Sequence, residues 1–547
     1  MKTRFKILIL LVFLSITSGL KSQPMRSNTP IIPLKTANSV LFGKDIIISD
    51  QPGQDQRNVA FCSAFKGWLF SVYSYFDIIN AVPAFAIMKS IDNGITWSFI
   101  FGGGLVAPSD VRFKSVDIAV IGDSVSNLKV VFAGLYSNSP DIDLGYAIVW
   151  TINGETGAFE QGLFGQNSIY GISLATDCLW PAYNSHPSSL GFLYSKWSAN
   201  RDSIIFCSSS NGGISFDSWH VVATTTSRYH KVALAYGRSS SWSSGRYFAA
   251  WQEINIATSS LGHIYTSHTN PNFNSPFTLP VNLDSLNPAT INKCRNPAVA
   301  CQVNNIDNDS SNLTEIVLFN KFNSSSQKYD LAGYYNLQAA NHSKFKKLTI
   351  SDSLHNNVQP DINFNPFDST FMVTYFDSTT QKLPFVTKNY NLVNPNQWNV
   401  ISTGYNDSSN LTAPYPKVEL NFDQQQGANI WTADQIGGNG VAMFDAPYST
   451  WTSISYQNKS DNNEFCRVYP NPCKNSVTIA FELQQPGRII ICLTNVLGQP
   501  LGTITDQFYP SGINSKTFDV SKLSMGTYLF IFTNGDNKIS GKFSIIR

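Results

Sequence analysis

The chain is poor in charge. Of its 547 residues, 38 are Lys or Arg and 36 are Asp or Glu, for a formal net charge of +2. Neither a nucleic acid nor an anionic membrane surface is therefore expected as its main partner. Histidine is also scarce: none of the seven stands in an HxxxH or HExxH spacing, and the eight cysteines contain no CxxC pair. These are the ligand patterns of zinc sites, so no metal or cofactor is expected. The sequence has no GxSxG, no Walker loop and no GxGxxG at a strand-to-helix junction, which argues against serine hydrolase and nucleotide chemistry. Beyond the N-terminal segment, no run is apolar enough to span a bilayer.

That N-terminal segment has its own grammar. Lys2, Arg4 and Lys6 precede the apolar run ILILLVFLSI, and the small residues of TSGLKSQ follow. A basic stretch, a short apolar core and a cleavage zone form a secretory signal, expected at residues 1–22 with the mature chain beginning near Gln23. The run is well short of the roughly 20 residues of a spanning helix. The first cysteine is Cys62, so a lipid anchor at the cleavage zone is not expected. Export permits disulfides. Cys62, Cys178, Cys207, Cys294 and Cys301 precede the tail, and Cys466, Cys473 and Cys492 lie in it. Cys294 with Cys301, and Cys466 with Cys473, are near enough in sequence to close small loops, but spacing alone fixes no pairing.

Hydrophobic residues make up 42% of the chain and aromatics 13%, with turns rich in Gly, Pro, Asn and Ser. This composition predicts an all-β protein. A unit of roughly 45 to 60 residues recurs, within the range of propeller blades. Its successive openings read NVAFCSAF, SVDIAVIG, YGISLATDC, KVALAYG, NPAVACQVN, QPDINFN and YPKVELNF. The expected architecture is a β-propeller of about seven blades over residues 30–455, six or eight being the neighbouring counts. Residues 30–50 could supply a strand that closes the ring; tandem β-sandwiches are the alternative.

Two octapeptides share one pattern. SIDNGITW places Ser90, Asp92, Gly94, Thr96 and Trp97, and SSNGGISF places Ser209, Asn211, Gly213, Ser215 and Phe216. The Asp or Asn can hydrogen-bond its own turn, the Gly can take positive φ, and the aromatic anchors the next strand. A turn bonded to itself fixes strand register. The first octapeptide resembles the Asp-box, or BNR repeat, of sialidase-like β-propellers, and the second is a degenerate version. The resemblance implies turns between the outer two strands of a blade, on the face away from a catalytic centre, with a structural role.

After residue 455 the grammar changes to short alternating strands, expected to form a small C-terminal β-sandwich over 464–547. Tyr469, Pro470, Asn471 and Pro472 are followed by Gly498, Leu523, Gly526, Tyr528 and Lys542. In order and position they resemble the type A C-terminal sorting domain of the type IX secretion system. The resemblance implies a Bacteroidota-type bacterium, Sec export through the periplasm, recognition by the type IX machinery and delivery to the outer surface or the medium.

Catalytic candidates are few. A sialidase needs an arginine cluster, an acidic acid/base and a tyrosine nucleophile, and its first arginine sits in a Phe/Tyr-Arg-Ile-Pro stretch that this chain lacks. Arg57 stands near the expected place in QDQRNVAF but takes no role from it. Glu253, ending the apolar strand YFAAWQEI, is a weak candidate general acid/base. Asp307, Asp309 and Ser311 alternate as calcium ligands can, without the Gly and bidentate Glu of an EF-hand. The expected function is that of an exported propeller binding a glycan or protein ligand. The alternative is an exo-acting glycoside hydrolase related to sialidases, and convergence of arginines and carboxylates at the channel mouth would separate the two.

Overall fold

The computed structural model divides into two compact units, one ending at Tyr448 and the other beginning at Ser449. Most of residues 41–448 and 465–546 is described; the segments outside the described residues include 1–40, 177–188, 304–312 and 449–464. The expected signal peptide, Cys178 and the candidate calcium loop therefore lie outside the described residues. Apart from one 3-10 turn at Asp284–Leu286, the described regular structure is strand.

The first unit is a succession of four-stranded antiparallel meanders. The first comprises Gln56–Ser63, Leu69–Asp77, Val82–Ser90 and Ser98–Gly104. The second comprises Arg112–Ile121, Lys129–Ser137, Gly145–Asn153 and the beginning of Phe159–Thr176. That long strand changes sheets near Ser168, where the register breaks and φ is 65°. Its second half opens the third meander, continued by Leu190–Lys196, Asp202–Ser209 and Ser218–Thr225. The fourth holds Arg228–Gly237, Arg246–Ile254, Gly262–His268 and Val281–Asn282. The fifth holds Cys294–Cys301, Glu315–Asn323, Lys328–Asn336 and Lys346–Thr349. The sixth holds Asn357–Asn365, Thr370–Asp377, Phe385–Asn389 and Asn399–Ser402. The last has Lys417–Asn421, Gln426–Asp434 and Gly440–Asp445 from the end of the unit, and Ile46–Ile47 from its beginning.

The first strand of each meander packs against the first strand of the next, in a cycle returning from Lys417–Asn421 to Gln56–Ser63. The arrangement is propeller-like, with these innermost strands around a central channel. Backbones converging on an axis leave little room, and the innermost strands accordingly carry Ala60, Cys62, Ala119, Gly171, Ala233, Ala235, Ala298 and Ala300. A Cβ at Gly171 would stand 2.5 Å from the carbonyl oxygen of His230 on the next innermost strand. Farther out the sheets diverge, and large rings fill the widening wedge. Phe85 stacks on Phe132 between the first two meanders at 4.1 Å, and Phe206 meets Tyr247 between the third and fourth at 5.1 Å. Tyr405 meets Trp431 between the sixth and the last at 5.1 Å, and Phe61 meets Phe444 across the closure at 6.2 Å. Fully burying each such ring is worth about 1.5–3 kcal/mol.

Closure uses both ends of the unit. Ile46 and Ile47 pair with Phe444 and Met443, within the 30–50 window read from the sequence, and so cover what would be an open sheet edge. Side chains reinforce the seam. Gln56 Oε1 accepts the Ala442 N–H at 2.8 Å, Asp55 Oδ1 accepts the Gly440 N–H at 2.6 Å, and Arg57 meets Asp434 at 2.8 Å.

The second unit has a three-stranded sheet (Phe465–Tyr469, Ser476–Leu483, Gly512–Asp519) and a four-stranded one (Pro500–Tyr509, Gly487–Asn495, Gly526–Asn534, Asn537–Ile545). Both contribute to one core, with Val477, Ile479 and Phe481 from the first and Ile489, Ile491, Phe530, Phe532 and Phe543 from the second. Cys294 and Cys301 sit at opposite ends of one extended strand, about 23 Å apart at the usual strand rise, and both are free thiols. Cys473 is free as well.

Candidate functional site

The innermost strands begin at one end of the channel, and there the backbone is irregular in meander after meander. Register breaks fall between Arg57 and Val59, Phe113 and Ser115, Ile169 and Gly171, Tyr229 and Val232, Arg295 and Ala298, and Val358 and Asp361. Asn58, Asn296, Gln359 and Tyr415 take left-handed φ of 51°, 53°, 53° and 43°, the last three immediately before a proline. A left-handed residue at a bulge bends the strand and re-aims its side chains. Strain repeated around one rim marks a place where side-chain position matters.

The rim encloses a concavity of about 290 Å³. Its lining includes Lys114, Asp117, Ser173, Lys231, Asn296, Gln359, Asp361, Tyr415, Lys417 and Glu419. Asp117, Asp361 and Glu419 bring three carboxylates to it, and each also ties neighbouring strands together. Asp117 Oδ2 accepts the Leu174 N–H at 2.8 Å. Asp361 Oδ2 accepts the Val418 N–H at 2.9 Å, while its Oδ1 lies 3.0 Å from Lys417 Nζ. Glu419 Oε1 accepts from the Asn363 amide at 2.9 Å. Ser173 Oγ accepts the Leu234 N–H at 3.1 Å in the same manner.

Electrostatics divide these groups. Burial pushes Glu419 up to about 8, Asp361 and Asp117 adding to the shift against the hydrogen bonds from Leu420 and Asn363. Glu419 therefore holds its proton at neutral pH. Burial also raises Asp117, against the pull of the Lys417 charge and the Leu174 N–H. For Lys417, burial works to lower the value, but Asp361 and Asp117 outweigh it and hold the ammonium above the ordinary lysine range. The result is one neutral carboxyl and one ammonium–carboxylate pair on adjoining strands, an arrangement able to donate and accept hydrogen bonds and to give up a proton.

The residues singled out from sequence lie elsewhere. Each octapeptide is the turn between the third and fourth strands of its meander, at the opposite end of the sheet from the mouth because alternate strands reverse direction. Ser90 Oγ accepts the Gly94 N–H at 2.8 Å, Asp92 accepts the Thr96 N–H and hydroxyl at 2.9 and 2.6 Å, and Trp97 Nε1 donates to the Gly94 carbonyl at 3.0 Å. The second copy repeats the pattern: Ser209 Oγ accepts from Gly213 at 2.8 Å and Asn211 Oδ1 from the Ser215 N–H at 2.9 Å. Phe216 packs against Phe192 at 6.1 Å. Glu253 is on a second strand, where its Oε1 accepts from the Thr225 hydroxyl at 2.9 Å, and it does not line the mouth. No arginine is among the described mouth residues. Arg57 is held by Asp55 and Asp434, and Arg228 lies by Tyr170 and Asp202. The mouth carboxylates carried no motif. The one local signal was the recurrent residue-Pro pair opening NPAV, QPDI and YPKV.

In the second unit, Tyr469 ends the first strand and Asn471 Oδ1 accepts the Ser544 N–H at 2.9 Å. Leu523 packs against the shared core, Gly526 begins a strand at φ 147°, and Tyr528 stacks on Phe543 at 5.8 Å. Burial lowers the Lys542 ammonium. Pro470, Pro472 and Gly498 lie outside the described residues.

No curated protein matches the chain. Among solved structures it is similar to an α-L-arabinofuranosidase of Fusarium graminearum, with 11% identity and a TM-score of 0.43 over 74% of this chain and 97% of that one. It is also similar to an α-L-arabinanase of Penicillium chrysogenum, with 11% identity and a TM-score of 0.39 over 74% and 98%. A polysaccharide lyase, an ulvan lyase, gives 8% identity and a TM-score of 0.43 over 73% and 95%. At such identities no side-chain role transfers. Residues 467–546 match the family described as the secretion system C-terminal sorting domain. The chain thus ends in a type IX sorting domain, which marks it for the secretion machinery and for export to the cell surface or the medium.

Proposed function

We propose that this protein is an exported seven-bladed β-propeller that binds a glycan at the mouth of its central channel. A Sec signal at 1–22 would precede the propeller at 30–455, and a β-sandwich at 464–547 would carry the sorting signal of Tyr469 to Pro472, Gly498, Leu523, Gly526, Tyr528 and Lys542. The two octapeptides are read as Asp-box turns of the sialidase-like kind, with structural roles. The observation that carries the binding reading is the mouth itself: amide, hydroxyl, ammonium and carboxyl groups from successive strands converge on one concavity. Sugars present that mixture of donors and acceptors, and such a site satisfies them from several sides. No arginine is among the described residues lining the mouth, unlike the arginine cluster that a sialidase needs.

A second reading, glycosidic bond cleavage, is favoured by Glu419. A carboxyl protonated near neutral pH beside ionisable carboxyls is what general acid catalysis at a glycosidic oxygen requires. An array of neutral and acidic glycans, read for both binding and release of reducing ends, tests the two together. Binding without product supports the first reading. Product that disappears in Glu419→Gln, with binding retained, moves the assignment to the second.

A further inference from the structure

Beside the mouth, between the fourth and fifth meanders, lies a second concavity of about 350 Å³. His230, Lys231, Lys293 and Arg295 line it together with Gln252, Asn296 and Tyr329, and no Asp or Glu is among its described lining residues. Lys231 and Asn296 also line the mouth, so the two spaces adjoin. In a chain of net charge +2, this one-signed lining is a local feature and does not follow from composition.

Arg295 is the cleft's best-placed cation. Its guanidinium carbon stands 3.8 Å from the centroid of the Tyr329 ring. Stacking uses the face of the guanidinium and leaves its in-plane donors for an acceptor. Among the described residues Arg295 forms no ion pair, and its Nε is buried with no hydrogen-bond partner. A guanidinium with an unpartnered donor is costly to bury, and an anionic ligand in the cleft would supply an acceptor for it. Lys293 is likewise in no ion pair among the described residues; its ammonium rests 4.9 Å from the Phe322 ring centroid. Asp284 is buried and already engaged by His263 at 2.8 Å and by the Ile264 N–H at 3.0 Å.

Further aromatic rings neighbour His230, one of the residues lining the cleft. His230 stacks on Tyr170 at 5.3 Å. Arg228 donates to the Tyr170 hydroxyl at 3.2 Å and lies 5.4 Å from the Trp197 ring centroid. A string of contacts thus runs from Trp197 through Arg228 and Tyr170 to His230, which shares the cleft with Arg295 and Tyr329.

We propose that this cleft holds an anionic sugar unit, a carboxylate or sulfate ester of an acidic polysaccharide whose neighbouring units enter the channel mouth. The assignment rests on the glycan reading of the mouth and adds the ligand's charge and the residues that read it. A carboxylate or sulfate can take two parallel N–H bonds from Arg295, with Lys293 and Lys231 as further cations.

The test is affinity electrophoresis and calorimetry on the full exported chain. The probes are polygalacturonate, its methyl ester, κ-carrageenan, neutral arabinan and poly-glutamate. The variants are Arg295→Met, Arg295→Lys and Lys293→Met, each checked for an unchanged melting transition, with Arg201→Met as an exposed control. Wild type should bind polygalacturonate or carrageenan, and the choice between them names carboxylate or sulfate. Arg295→Met should weaken that binding by about tenfold or more, as the loss of a charged hydrogen bond does. Arg295→Lys should fall between. Should Arg295→Met unfold, Arg295→Lys and Lys293→Met carry the test.

Equal binding of the methyl ester, or of arabinan alone, would overturn the acidic-ligand assignment while leaving the glycan reading in place. Acidic-glycan binding unchanged in all cleft variants would overturn the site. Poly-glutamate bound as tightly, with the same dependence on Arg295, would overturn the glycan class. Binding of none of the glycans would overturn both readings together.

Discussion

Lys417 Nζ lies 3.0 Å from Asp361 Oδ1, while the other oxygen of that carboxylate receives the backbone N–H of Val418. One side chain thus serves two purposes: it joins neighbouring innermost strands, and it keeps a charge pair at the channel mouth. The Asp361 side chain is 17% exposed and that of Lys417 43%, so solvent screens the pair in part. Asp361→Ala should cost about 1–2 kcal/mol, the range between surface and buried pairs. Lys417→Met should cost less, because the Val418 N–H bond survives. Urea melts of both variants check the order.

Closure should depend on single side chains remote in sequence. Gln56→Ala strands the buried Ala442 N–H, which its amide oxygen accepts across 386 positions. A loss of about 1–3 kcal/mol is expected, with amide exchange rising first in Gly440–Asp445 and not in the fourth meander. Exchange mass spectrometry reads both.

The octapeptide turn should be more sensitive at its glycine than at its acid. Asp92→Ala removes three hydrogen bonds, from the Ser90 hydroxyl and from the exposed Thr96 N–H and hydroxyl, worth about 1–2 kcal/mol together at so exposed a site. Gly94 has φ 92°, and an added Cβ would fall on the Phe444 ring of the closing meander. Gly94→Ala should therefore cost about 2–5 kcal/mol, left-handed strain plus overpacking. Thermal denaturation of the two variants ranks them.

Stability should fall as pH rises from about 5 to about 8. Glu315 is fully buried, and burial raises it from 4.5 to about 8, against one hydrogen bond from Thr266. Over that window the native state keeps a proton that the unfolded chain has released, so each further pH unit favours unfolding by up to about 1.4 kcal/mol. Below about 4.5 both states are protonated and the dependence from this group ends. Glu419 acts in the same direction. Glu315→Gln should flatten part of the slope in melting temperature against pH, and a slope unchanged by it would contradict the assignment.

The parts legible in the sequence were those that recur or stand together in the chain. Alternating strands, two matching octapeptides, a closing strand before residue 50 and the tail from Tyr469 onward all announce themselves locally. The mouth does not. Asp117, Asp361 and Glu419 belong to different meanders and meet only because the cycle gathers the innermost strands around one channel; each looks alone like an ordinary polar residue in an alternating strand. Glu253 illustrates the converse. It ends an apolar strand as a channel carboxylate might, but its strand is the second of its meander, and sequence alone does not say which strand faces the axis. Arg295 and Tyr329 are likewise joined only by strand pairing within the fifth meander.

Hydrogen–deuterium exchange of the full chain, with and without a bound glycan from the array, tests the central claim most directly. Protection is expected at the starts of the innermost strands, over residues 114–119, 231–234, 359–363 and 415–420, with the octapeptide turns at 90–97 and 209–216 unchanged. Protection centred on those turns, or on the C-terminal unit, with the mouth unaffected, would contradict it.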